Sequence, residues 1–159
     1  MLSINIICVG KLKESYLREA VDEYAKRMKP LCRLNITELG EEYAGDNPSP
    51  AETERIVSAE SERILSKIGK NDYVFAMCVE GRNISSEELS QRIEDISQTH
   101  STIDFVIGGS WELSEKLKAR ADFRLSMGKM TFPHQLFRVM LLEQIYRAFQ
   151  ISRGTKYHK

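Results

Sequence analysis

Ser126–Arg138, SMGKMTFPHQLFR, places a Gly, two Met, a Lys, a Thr, a Pro and a His between a short strand pattern and a strongly apolar helix pattern. Such a segment is a candidate for holding a ligand. Three strand ends also carry glycine. They are Gly81 in AMCVEGRN, Gly108 and Gly109 in FVIGGS, and the opening stretch SINIICVGKLKE. Glycine at such ends lets the backbone approach a ligand or bend sharply. In α/β sheets, ligands gather beyond the carboxyl ends of the strands. A glycine after a strand also serves plain turns, so the expectation rests on all three ends meeting in one pocket. Other chemistries lack their residues. There is no GxGxxG, no GxxxxGK[ST] and no GxSxG. With three histidines (His100, His134, His158) and no CxxC, a metal site is not expected.

The elements that would position these residues alternate. SINIICVG reads as a buried strand, and KESYLREAVDEYAKRMK carries apolar residues at helical spacing until Pro30. RLNITEL alternates as a strand does. A turn-rich loop then leads to the helix AETERIVSAESERILSKI. DYVFAMCVE is a strand, SSEELSQRIEDIS a helix opening on Ser and acidic residues, and TIDFVIGG a strand. LSEKLKARA, DFRLSM and PHQLFRVMLLEQIYRAFQIS complete the series as helix, strand and helix. This order predicts an α/β fold with a mainly parallel sheet, as one domain over residues 1–159. The last helix leaves little polar face. A helix apolar nearly all round is buried on more than one side, so a homodimer through it is expected.

Composition sets the setting. No apolar run is long enough to span a bilayer, and the first strand lacks a basic leader and a cleavage site. Cys8, Cys32 and Cys78 read as reduced thiols of a cytoplasmic protein. The net charge of zero hides an asymmetry. Residues 1–107 hold 13 Lys and Arg against 19 Asp and Glu, and residues 108–159 hold 10 against 4. A basic C-terminal third fits a phosphate-rich partner.

FVIGGS, LSMGKMTFPHQLFRVMLLEQIYRAFQI and the terminal YHK together resemble the bacterial RlmH family of SPOUT methyltransferases, over essentially the whole chain. The resemblance implies an α/β fold with a C-terminal trefoil knot, a rarity among protein topologies. It implies methylation of N3 of a pseudouridine in large-subunit (23S) ribosomal RNA with S-adenosylmethionine. It implies a cofactor site at Ala76, Gly108, Met127, Gly128, Lys129, Met130, Thr131 and Phe132. Backbone groups there would hold the adenine edge, and Met130 and Phe132 would pack the adenine or ribose. Pro133 fits the first helical turn, and Thr131 suits a cap. The chain departs from the family pattern at Glu112, where Gly is frequent, and at Lys156, where Pro is common.

The reaction implied needs the nucleophile held in line with the methyl group, and a group to take or offset the N3 proton. Arg138, Tyr157 and His158 are the expected catalytic residues, the last two reaching from the tail. Arg147, Arg153, Lys156 and Lys159 are expected on the RNA through phosphate contacts, and His134 is expected either on the RNA or capping and orienting the start of the last helix. With no separate RNA-binding module, the expected substrate is the assembled ribosome. A non-catalytic RNA-binding or ribosome-binding factor of the same fold is the competing reading. A nucleotide-binding enzyme of another type is disfavoured by the missing phosphate loop.

Overall fold

A computed structural model describes all residues, 1–159. Five strands and five helices alternate. They are β1 (Ser3–Val9), α1 (Ser15–Met28), β2 (Arg33–Leu39), α2 (Pro50–Leu65), β3 (Tyr73–Asn83), α3 (Ser86–Ser97), β4 (Thr102–Ile107), α4 (Glu115–Arg120), β5 (Phe123–Ser126) and α5 (His134–Ser152). The strands form one parallel sheet in the order β2-β1-β4-β3-β5. This is the α/β fold read from the alternation.

Period-two alternation sends each strand's apolar residues to both faces. Ile4, Ile6, Phe75, Ile103 and Phe105 meet α1, α3 and α5 on one side. Ile7, Val9, Val74, Ala76 and Val106 meet α2 and α4 on the other. Three helices start on serine caps. Ser49, Ser85 and Ser114 accept from the backbone N–H of Glu52, Glu88 and Leu117. α5 starts differently. Its N-cap is Pro133, with no side-chain cap, so Thr131 does not cap it and Pro133 lies one place before the first turn.

β3 is longer than the sequence pattern indicates. Its pairing with β5 shifts register between Met77 and Arg82, so Cys78–Gly81 arch out of the ladder. A side chain on Gly81 would lie 2.8 Å from the Arg124 backbone. Gly81 therefore lets the arch return against β5; it does not end the strand or face a ligand.

A polar ladder crosses the sheet centre. Asn35 donates to Asn5 (3.2 Å), and Asn5 donates to the Asp104 carboxylate (2.7 Å). Asp104 is fully buried, and its Oδ2 has no partner. Burial, reinforced by Asp72, pushes its pKa up to about 7. A raised folded-state pKa on an acid gives stability that is complete below the ordinary carboxylate range. That stability is lost as pH rises through about 7. Asp104→Asn keeps an acceptor for Asn5 and removes the buried charge. Its unfolding free energy from urea titration is expected to lie nearest wild type at about pH 4 and to exceed it at pH 8, by roughly 1–3 kcal/mol. A variant less stable than wild type at pH 8 contradicts this account.

Candidate active site

A cavity of about 270 Å³ opens beyond the carboxyl ends of β3, β4 and β5. The β3 arch supplies Met77, Cys78, Val79 and Glu80. The β4 end and the loop after it supply Ile107, Gly108, Gly109, Trp111, Glu112 and Leu113. Leu125 at the end of β5 and the loop into α5 supply Met127, Gly128, Met130, Thr131 and Phe132. The start of α5 adds His134 and Phe137.

Local constraints fix each wall. Ser126 Oγ donates to the Val79 carbonyl (2.9 Å) and accepts from the Gly128 N–H (3.1 Å), tying the arch to the loop. Gly128 has φ +120°, which a side chain resists. A Cβ on Gly108 would lie 3.1 Å from the Leu113 side chain, so a larger residue there would crowd the turn after β4. Burial raises the Cys78 pKa, with Glu80 adding to the shift, so Cys78 is a wall thiol and not a nucleophile at neutral pH. Glu80 is the opposite case. Its hydrogen bond from Lys118 holds its pKa below the usual carboxylate range. The walls can pack a flat base, offer backbone groups to its edge and present two carboxylates.

Of the residues expected at the cofactor, Gly108, Met127, Gly128, Met130, Thr131 and Phe132 meet in this one cavity, together with His134. Lys129 does not line it. Ala76 is fully buried and packs on the α2/α4 side; the β3 arch, one to four residues further on, takes its place. The opening stretch does not join it either. Gly10, with φ +90°, donates to the Leu39 carbonyl and turns the chain into the β1–α1 loop.

Arg138 stands apart from the expected catalytic position. It is 1% exposed and pairs with Glu38 of β2 (2.6 Å). It also donates to the Gly10 carbonyl (3.1 Å), and its Nε has no partner. It lines a different hollow, beside Arg18 and Asp22 of α1. Its spacing announces this. Arg138 shares a helical stripe with the buried Leu141, Leu142 and Ile145.

The tail folds onto its own chain. The Tyr157 hydroxyl reaches both Glu143 carboxylate oxygens (3.1 and 3.0 Å), and its ring packs edge-on against Tyr146. Arg147 bonds Glu143 (2.7 Å) and lies over the Tyr157 ring, 4.7 Å from its centroid. It also donates to His158 Nδ1 (3.1 Å), so the His158 proton sits on Nε2 and points at Glu87. Arg147 is thus half-buried and committed within the chain, against its expected role as a phosphate contact. Arg153, Lys156 and Lys159 are exposed. Burial raises the Tyr157 pKa, and Glu143 adds to it.

Cavity and tail touch different parts of α5. The cavity reaches Phe137, and the tail begins at Glu143. Those six residues span about 9 Å of helix. No three His, Cys, Asp or Glu side chains are placed to hold a metal ion.

Comparison with known proteins places this geometry. The family described as "Predicted SPOUT methyltransferase" matches residues 2–158. The chain is 55% identical to the ribosomal RNA large subunit methyltransferase H of Clostridium acetobutylicum, over 99% of this chain and 100% of that protein. It is 50% identical, with the same coverage, to the proteins of that name from Carboxydothermus hydrogenoformans and Streptococcus agalactiae. A solved structure titled as a probable methylase family protein from Haemophilus influenzae Rd KW20 shares the fold, with a TM-score of 0.52 at 14% identity. The alignment covers 98% of this chain and 70% of that one. The chain belongs to the SPOUT methyltransferase family.

Replacing Arg138 by Met leaves Glu38 and the Gly10 carbonyl without their partner. Because Glu38 is one-third exposed, the expected loss is about 2–3 kcal/mol, below that for a fully buried pair. Urea unfolding measures it. Wild-type stability combined with lost catalysis would return Arg138 to the reaction.

Proposed function

We propose that this protein transfers a methyl group from S-adenosylmethionine to N3 of a pseudouridine in large-subunit (23S) ribosomal RNA, acting in the cytoplasm on the assembled ribosome. The observation that carries this reading is the convergence of Gly108, Met127, Gly128 and Met130–Phe132 on one cavity at the sheet's carboxyl edge. The relatives named for large-subunit methylation match this chain along its full length. No helix is long and apolar enough to cross a membrane.

The cavity fits the cofactor by its chemistry. Met130 and Phe132 offer apolar faces to adenine and ribose, and the Gly128 backbone can approach closely because no side chain stands in the way. When bound, the cofactor supplies an already activated methyl group on a sulfonium. The protein then has to position the nucleophile and manage one proton. Transfer to N3 would free the N3 proton, so the chain's own groups on the substrate side would have to hold the ring in line and accept that proton. Tyr157 and His158 are the groups assigned to the substrate side. His134, beside Glu41 at 3.9 Å, stands at the cavity mouth, and Arg153 and Lys156 are free for phosphates. The β5–α5 segment is the part of the chain assigned to the family's trefoil knot.

A homodimer completes this site. Val79, Trp111, Met130 and Leu136 are the exposed large apolar residues at the cavity rim and the start of α5. Apolar surface gathered there suits cover by a second chain, which would bring its own tail. A monomer mass that does not change with concentration would remove the dimer.

The direct test is transfer of labelled methyl to ribosomes that lack the modification, with wild type beside a chain ending at Gly154. Wild type is expected to transfer. The truncated protein is expected to bind the cofactor and transfer at least a hundredfold more slowly, in the range of a lost acid–base group. A folded, cofactor-binding wild type that methylates no RNA would instead favour a non-catalytic ribosome-binding factor.

A further inference from the structure

The cavity carries an unbalanced charge. Its lining holds two carboxylates, Glu80 and Glu112, and no Lys or Arg. Arg124 of β5 acts on Glu80 from one side, and behind the wall stands Lys118 on α4, whose side chain is only 4% exposed. Its ammonium lies 2.6 Å from Glu80, 3.6 Å from Glu112 and 3.7 Å from Glu115. Lys118 and Arg124 against Glu80, Glu112 and Glu115 leave one negative charge in excess. Burial opposes the charge on Lys118, but the Glu80 hydrogen bond and the neighbouring carboxylates outweigh it, so the lysine stays protonated. Lys118 therefore ties the β3 arch to the β4–α4 loop without cancelling the field. The first turn of α5, which has no side-chain cap, turns the positive end of the helix dipole toward the cavity.

Taking the proposed function as the premise, we infer that Glu112, with Glu80 held by Lys118, selects the cofactor by charge: the wall favours the cationic methyl donor and releases the thioether product, whose net charge is zero. The donor carries a sulfonium, an ammonium and a carboxylate, for one net positive charge. After transfer, the sulfonium is a neutral thioether and the net charge is zero. The ammonium and carboxylate are common to both, so any field that distinguishes the two acts on the sulfonium. Carboxylates on the cavity wall lower the energy of the charged form and leave the neutral form almost unaffected. The effect is moderate, because the Glu112 side chain is 76% exposed and water screens it.

The test is calorimetric binding to the full chain with three ligands. They are S-adenosylmethionine, S-adenosylhomocysteine and the analogue in which an amine-bearing carbon replaces the sulfonium. Glu112→Gln is exposed and isosteric, so the fold is expected to persist, with an unchanged melting temperature as the check. The variant is expected to weaken both cationic ligands by roughly threefold to fivefold and to leave the thioether unchanged. In wild type, the preference for the cationic donor over the thioether is expected to narrow as sodium chloride rises from about 50 to about 500 mM. Equal weakening of all three ligands, or no change in any, overturns the charge selection while leaving the cofactor site in place. A wild type that binds none of the three overturns the proposed function itself.

Discussion

The buried guanidinium of Arg138 fixes where the last helix can lie. It joins the first turns of α5 to Glu38 at the end of β2 and to the Gly10 carbonyl beyond β1. Glu38 also accepts from the Leu12 N–H, and Gln135 accepts from the Lys13 N–H. α5 is thereby held under the centre of the sheet, although β5, which precedes it, lies at the far edge. The loop between them must cross the carboxyl ends of the strands, and this crossing roofs the cavity. Removing one partner of such a pair costs more than the pair itself contributes, since a charge is then left stranded. The arginine thus serves the site by fixing its geometry.

A chain arranged this way keeps its cavity and its tail apart. The β3 arch, the turn after β4 and the β5–α5 loop form the cavity. The tail is tied by Glu143, Arg147 and Glu87 to the middle of α5 and the start of α3. The rim of the cavity is apolar and exposed, while the tail is aromatic and hydrogen-bonded. Two chains packed rim to tail would satisfy both surfaces. The asymmetry of charge fits the same picture: the basic third includes the tail, and the cavity wall is acidic.

The order and type of all ten elements were legible, because period-two and helical patterns are strong in each. Where the structure departs from the sequence reading, side-chain direction is at stake. Arg138 looked catalytic as a cation one turn into an apolar helix, yet its spacing from Leu141, Leu142 and Ile145 already put it inward. Glu143 and Arg147 are four apart, a spacing at which ion pairs form, and this pairing engages Arg147 within its own chain. Gly81 resembled a strand end because a register shift between two strands leaves no mark in either one alone. The same arch brings Met77–Glu80 of AMCVEGRN to the cavity where the family resemblance implies Ala76. Lys118 gives no local sign of its ties to Glu80 and Glu112, because those contacts form only when α4 packs on the sheet.

Complementation between two defective chains tests the central claim, that one chain's cavity works with another chain's tail. One chain carries Gly128→Val, which strains the loop at its φ of +120° but keeps the tail. The other ends at Gly154 but keeps the cavity. Each homodimer should be inactive in methyl transfer to unmodified ribosomes. The co-purified heterodimer holds one intact cavity facing one intact tail, and it should recover about half the wild-type rate per dimer, because only one of its two sites is whole. A heterodimer as inactive as its parents would mean that each tail serves its own cavity, and the two-chain site would be wrong.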